Sequence, residues 1–367
     1  MKLFRSNKPF RFEKRRRLWD NFRPVSVVRD QLRSDPSDCN GSSEKSQDLR
    51  PGNVRPLFPS HEFEVPTLTL ILVSIVSIGI VLAWRLLVRL TDAVRNTTLL
   101  PAARWASAAA VLWTLTWLAD HVFHLLSQSA ADHLWYAGTV ISLCPAIAVL
   151  GSRRPGTRVW TWFILIPMLF ALGWPVMTLW IQGSDVRGLQ LETPQLVGYL
   201  LVLIMGTGNY FGTRYTLPAL LFVVGNTLAV LTSAAACPAW LADRWWVRLW
   251  ATACVTQAIL MAGRSENPQS ASQDRFDRLW LDFFNQFGVV WGRRIQDRVN
   301  FIAIKEHWPA RLELHGVEWS SPADSSTEGR MEQTFRWLLR RFVDPPWIDE
   351  RLGNRQSDEV TTPGADS

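Results

Sequence analysis

Lysine is scarce in this chain: 5 residues stand against 34 arginines in 367 positions. That bias is the mark of GC-rich coding and points to a bacterial source. Cysteine is scarce too. Cys39, Cys144, Cys237 and Cys254 lie far apart and form no CxxC pair, which argues against a disulfide framework or a thiolate zinc site. No GxSxG, Walker A, HExxH or Rossmann fingerprint occurs, so the common signatures of hydrolases, nucleotide-binding proteins and zinc proteases are missing. The first 60 residues contain no apolar core, which argues against a secretory signal. Arg15, Arg16 and Arg17 lead into Leu18, Trp19 and then polar residues, which argues against a twin-arginine leader. No internal repeat of the transporter kind is visible.

What the chain does have is apolar sequence, unevenly placed. Residues 65–262 hold several long apolar runs, whereas 1–64 and 263–367 are polar and charged. A backbone crossing a bilayer must pair its own amides, and a helix needs about 20 apolar residues to do so. Spans are expected near 65–84, 105–126, 134–150, 159–181, 196–211, 215–235 and 246–262. The last is the weakest, because Arg248 lies inside it. Trp84, Trp105, Trp135, Trp160, Trp180, Trp240 and Trp245 fall near the proposed ends, where an amphipathic ring prefers the interface. The expected fold is therefore an all-α polytopic transmembrane bundle of about seven spans, followed by a small α-rich soluble region.

Charge sets the expected orientation. Arg85, Arg89, Arg95 and Arg104, then Arg153, Arg154 and Arg158, then Arg214 and Arg264 mark alternate loops as cytoplasmic. The C-terminal region then lies on the cytoplasmic side of a bacterial inner membrane. The same count puts the 1–64 tail outside, although it carries 14 basic residues, so its side stays open. This tail mixes basic residues with aromatics and reads as a largely disordered segment touching lipid headgroups. The net charge of +7 fits orientation and anionic lipid, and no nucleic-acid partner is expected.

In 263–367, Phe276, Leu279, Phe283, Phe287, Val290, Ile295, Val299 and Ile302 recur at helical spacing and make a broad apolar stripe. Pro309 ends that helix, Arg311–Trp319 reads as a strand or hairpin piece, and Met331–Val343 as a second amphipathic helix that Pro345 and Pro346 stop. The stripe either packs internally, lies on the membrane, or binds a protein partner or a second copy of the chain.

Three places carry possible chemistry. Asp120, His121 and His124 share one end of span two, with Asp132 and His133 just after it. Imidazole and carboxylate at i, i+1 and i+4 are candidate ligands for a metal, and the alternative is a hydrated helix end. Pro167 and Pro175 bend span four, which together with a glycine-rich span five would suit a mid-membrane transport site. Gly208 and Gly212 form a GxxxG, read as helix packing. Asn209 stands where an intramembrane aspartyl protease would need aspartate, which removes that reading. Asn226 and Gln257 are candidates for hydrogen bonds across the bundle. No cofactor is expected. The leading expectation is a non-enzymatic scaffold, assembly or regulatory component of a membrane complex. A transporter and a metal-dependent membrane enzyme built on Asp120, His121 and His124 are the alternatives.

Overall fold

The computed structural model describes residues 67–182, 189–235, 243–264, 274–322 and 324–353, all within the compact unit Phe63–Ser367. The N-terminal tail and the extreme C-terminus, on which two of the expectations above fall, lie outside the described residues.

The architecture is helical, with one small hairpin. Helix α1 (Thr67–Ala93) is followed by α2 (Leu100–Trp117), which runs on through a π turn, Leu118–Val122. Next come α3 (Gln128–Leu150), α4 (Thr157–Trp160), a second π turn (Thr161–Leu165), and α5 (Ile166–Gln182). Helices α6 (Thr193–Gly208), α7 (Thr216–Leu231) and α8 (Arg244–Arg264) complete an up-and-down bundle, in which short connections force neighbours to run antiparallel. The second π turn ends just before Pro167. Widening the helix there spares it the amide that proline cannot offer. Helix α5 continues through Pro175, and near it the Leu172 carbonyl accepts from the Tyr136 hydroxyl (2.7 Å).

Two of these helices, α1 and α3, are long and apolar enough to cross a membrane. Helices α6 and α7 are apolar but have 16 residues each, which at the helical rise span about 24 Å. Helix α8 carries Arg244, Arg248 and Arg264. The two long helices are placed very differently: α3 is buried at the centre, while α1 lies at the edge against α8 and α2.

The remaining chain forms a module at one end of the bundle. Helix α9 (Arg275–Lys305) leads into the antiparallel hairpin β1 (Ala310–Glu313) and β2 (Gly316–Trp319), then α10 (Ser325–Leu339) and α11 (Pro345–Leu352). The expected helix over Met331–Val343 is α10, which starts earlier and already ends at Leu339; Pro345 and Pro346 open α11 instead, because proline suits the first turn of a helix, where an amide has no partner. The α9 stripe is consumed internally. Phe276, Leu279, Trp280, Phe283, Phe287 and Val299 are buried against α10, α11 and the hairpin. Each aromatic ring so buried is worth roughly 2–3 kcal/mol. The same core continues into the bundle through Leu99, Ala102, Cys144, Ile147, Ala148 and Leu165. Backbone hydrogen bonds cross the junction as well: Thr98 N to Phe342 O (2.8 Å), Asp344 N to Asn96 O (2.9 Å) and Arg154 N to Arg341 O (2.9 Å).

Helix α10 starts on an aspartate cap. Asp324 accepts from the Thr327 amide (3.0 Å) and the Ser326 hydroxyl (2.6 Å), and these hydrogen bonds, that from Ser326 foremost, hold its carboxyl down at about 2. Because the folded value lies below the ordinary 3.8, the cap contributes fully above that pH and is lost as pH falls through about 2. The protection factor of the Thr327 amide, taken against its intrinsic exchange rate at each pH, is expected to fall over that window, and Asp324→Ala is expected to lack that protection at every pH. Equal protection at pH 5 and pH 2 would contradict this.

Candidate functional site

At the end of the bundle away from the module, the first turn of α8 faces the π turn after α2 and the first turns of α3. These three elements bring opposite charges together inside an apolar shell. Asp132 is fully buried. It accepts from Arg244 Nη1 (2.5 Å) and pairs with Arg248 Nη2. Arg248, 4% exposed, also donates from Nη1 to Asp120 Oδ2 (3.3 Å). The indole N–H of Trp135 donates to that same oxygen (2.7 Å). Two carboxylates thus meet two guanidinium groups. Charges this deep persist only when paired and hydrogen-bonded.

His121 completes the cluster as a packed ring. It stacks between Trp117 (centroids 4.2 Å) and Trp245 (5.2 Å), with Trp135 edge-on at 5.7 Å. Its Nε2 donates to the Trp245 carbonyl (3.3 Å), and its Nδ1 lies 3.5 Å from Asp120 Oδ2. Further along, Trp113 donates to Thr252 Oγ1 (3.2 Å) and Trp117 to Ser77 Oγ (3.1 Å). The site therefore ties α1, α2, α3 and α8 together through indole N–H groups.

The structure brings Asp120 and His121 together but sets His124 apart. His124 sits beyond the π turn in a left-handed conformation (φ 49°) and is exposed. The physical reason is that the helix ends at Val122 and the chain turns away, so His124 lies past the helix face that carries Asp120 and His121. His133 turns back to its own helix, Nδ1 lying 2.7 Å from the Ser129 carbonyl. Among the described residues, no three His, Cys, Asp or Glu side chains lie together as a metal-binding group. The partners that do meet Asp120 are Trp135 and Arg248. Sequence reading treated Arg248 as a reason to doubt span seven. The usable signal was that one apolar segment holds an arginine while another opens with an aspartate, since charges in such segments seek each other.

The glycines expected to pack helices do something else. Gly208 is the last residue of α6, and Gly212 lies in the following turn with φ 85°; neither has a neighbour close enough to touch an added methyl. Close helix approaches occur instead at Gly206, against Ala146, and at Gly225, against the Ala251 carbonyl of α8. Asn209, between the two expected glycines, is a brace. Its backbone carbonyl accepts from Val289 N (2.8 Å), its side-chain oxygen from Val290 N (2.9 Å), and its amide donates to Phe287 O (3.0 Å). These bonds bridge a break in α9 at Gly288 (φ 78°, ψ −178°). Asn226 does bond across the bundle, accepting from the Tyr199 hydroxyl (3.3 Å), while Gln257 is exposed.

No known family, characterised protein or solved structure matches the chain significantly. Its reading rests on the geometry above.

Proposed function

We propose that the chain is a multi-pass integral membrane protein of seven spans, with the second π segment and α5 forming span four. It acts as a non-enzymatic scaffold, assembly or regulatory component of a membrane complex. The membrane part of this reading is supported by an inverted pattern of burial. Large apolar side chains point outward all round the bundle: Ile78 is 62% exposed, Leu115 58%, Phe163 73%, Leu201 63% and Trp250 56%. Water-facing surfaces do not carry so continuous an apolar cover. Polar side chains, by contrast, fill the interior: Thr139, Ser142, Asn226, Thr252 and the Asp132–Arg248 pair. Hydrocarbon outside and hydrogen bonds inside is the arrangement a bilayer favours. The arginines at the module end, Arg95, Arg153, Arg154, Arg214 and Arg264, favour a cytoplasmic module, whereas Arg244 and Arg248 at the other end are tied to carboxylates.

The observation that carries the scaffold reading is the single core shared by the module and the helix ends. A module joined in this way cannot swing, so whatever docks on it is held at one height and orientation above the membrane. The amphipathic stripe of α9 is already used, which shifts the docking surface to what α9 leaves outside. Phe301 is 57% exposed and Ile304 77%, adjacent at i and i+3 on the last turns of α9.

The test is a gentle detergent extraction and pull-down through a C-terminal tag. Proteins that co-purify with the parent chain are expected to be lost from a Phe301→Asp, Ile304→Asp variant. Both side chains are exposed, so stability should change by no more than about 0.5 kcal/mol. A parent chain that purifies alone, or partners unaffected by the variant, would overturn the scaffold reading. Extraction of the chain by alkaline carbonate would overturn the membrane reading.

A further inference from the structure

A cleft of about 830 Å³ opens where the module meets the bundle. Its polar side is built from Arg153 and Arg154 of the α3–α4 connection, Arg294 of α9 and Arg341 after α10; its apolar side includes Trp160 and Met205. Among the described residues, no acidic residue lines it. Arg154 is committed, pairing with Asp344 at 2.7 Å. The other three have no carboxylate within ion-pair distance among the described residues. Elsewhere in the module, among the described residues, Arg275, Arg293, Arg311, Arg336 and Arg351 have carboxylate partners, while Arg278, Arg298, Arg330 and Arg340 do not. Three exposed arginines without a carboxylate partner line one cleft, where an anion would gain charge-assisted hydrogen bonds; Arg341 also lies over the Trp337 ring (5.8 Å).

The cleft is also preorganised. Trp160 donates to the Ile147 carbonyl (3.0 Å) and Trp291 to that of Val149 (3.1 Å), so both walls are pinned to the end of α3. The Arg294 guanidinium lies 4.8 Å from the Trp291 ring centroid, which holds it toward the opening. Met205 belongs to the outward apolar surface of α6 and is 56% exposed. The cleft is therefore amphipathic: arginines at one side, a wall continuous with the apolar surface at the other.

We infer that this cleft binds the phosphate of an anionic phospholipid, with the arginines on the headgroup and the Trp160–Met205 wall against the glycerol and upper acyl chain. The inference rests on the membrane reading and adds a specific ligand class to it. A soluble phosphate ester would satisfy the arginines equally but would leave the apolar wall without a role. Lipid bound here would touch both the bundle and the module and would stabilise their junction.

The experiment uses the full chain purified in a mild, uncharged detergent, with binding read by native mass spectrometry and thermal shift. The probes are dioctanoyl phosphatidylglycerol, dioctanoyl phosphatidylcholine and inorganic phosphate. Phosphatidylglycerol is expected to bind and raise the melting temperature, with phosphatidylcholine and phosphate much weaker. Arg153→Gln, Arg294→Gln, Arg341→Gln together should weaken it on the order of a hundredfold. Arg298→Gln, one turn away from Arg294 and outside the cleft, should leave it unchanged. Equal binding of phosphate would assign the cleft to soluble phosphates and overturn the lipid inference. So would phosphatidylglycerol binding that the triple variant leaves intact, or no binding at all. The single Arg294→Gln variant, expected to lose several-fold, keeps the test decisive if the triple variant fails to fold. Carbonate extraction of the membranes from which the chain is purified separates the two failures. A released chain loses the membrane reading and this inference together, whereas a retained chain without lipid discrimination loses this inference alone.

Discussion

Asp132→Ala is expected to destabilise the bundle by about 3–5 kcal/mol, the usual cost of leaving a buried charge without its partner. Arg248, 4% exposed, would keep only the 3.3 Å contact to Asp120, and Arg244 would lose its carboxylate altogether. The cost comes from desolvation. Inside an apolar shell the Arg248 charge cannot recover water, and Asp120 is already shared with Trp135. An Asp132→Leu, Arg248→Met double variant removes the most deeply buried pair and leaves Arg244 and Asp120, one charge of each sign, at the more exposed edge. It should therefore cost less than the sum of Asp132→Ala and Arg248→Ala. Thermal or denaturant unfolding followed by tryptophan fluorescence reads this directly, since Trp135 and Trp117 lie in the cluster. A single variant within about 1 kcal/mol of the parent would mean that the cluster is hydrated and does not hold the helices together.

The second large effect is expected at the break in α9. Gly288 adopts a backbone conformation open essentially to glycine alone, and a Cβ there would sit 2.3 Å from Asn209 Nδ2. Gly288→Ala should cost about 1–3 kcal/mol in backbone strain before the clash is counted. Asn209→Ala attacks the same joint from the bundle side. It leaves Phe287 O and Val290 N without their side-chain partner, at about 1–3 kcal/mol each. The two substitutions disrupt one set of contacts, so together they should cost less than their sum. Hydrogen exchange localises the effect: amides 287–291 should lose protection first, with α1 unchanged. Uniform loss of protection along the chain would show that the joint is not a distinct unit.

This joint shows why part of the architecture was hidden from sequence reading. The stripe over Phe276–Ile302 was legible because burial every three to four residues leaves a periodic trace. Gly288 lies inside that stripe, and its immediate neighbours carry no mark of a break. Its role depends on Asn209, 79 positions earlier, and nothing local records that meeting. The same holds for His124. Spacing placed it with Asp120 and His121, but the helix ends at Val122, two residues before it, and no distinctive residue pattern marks that end.

By itself the sequence determined that the chain is helical, where its apolar segments run, and that a polar amphipathic region follows them. These properties follow from local periodicity and from composition, which each segment carries alone. Only the tertiary structure decided which charges meet, as Asp120 and Asp132 do with Arg244 and Arg248. It alone showed that most of the α9 stripe is buried inside the chain, and that Arg153, Arg294 and Arg341 line one cleft. Those outcomes depend on pairings between segments far apart in the chain. The energy of such a pairing resides in the distance between two groups, and that distance exists only once the helices have packed.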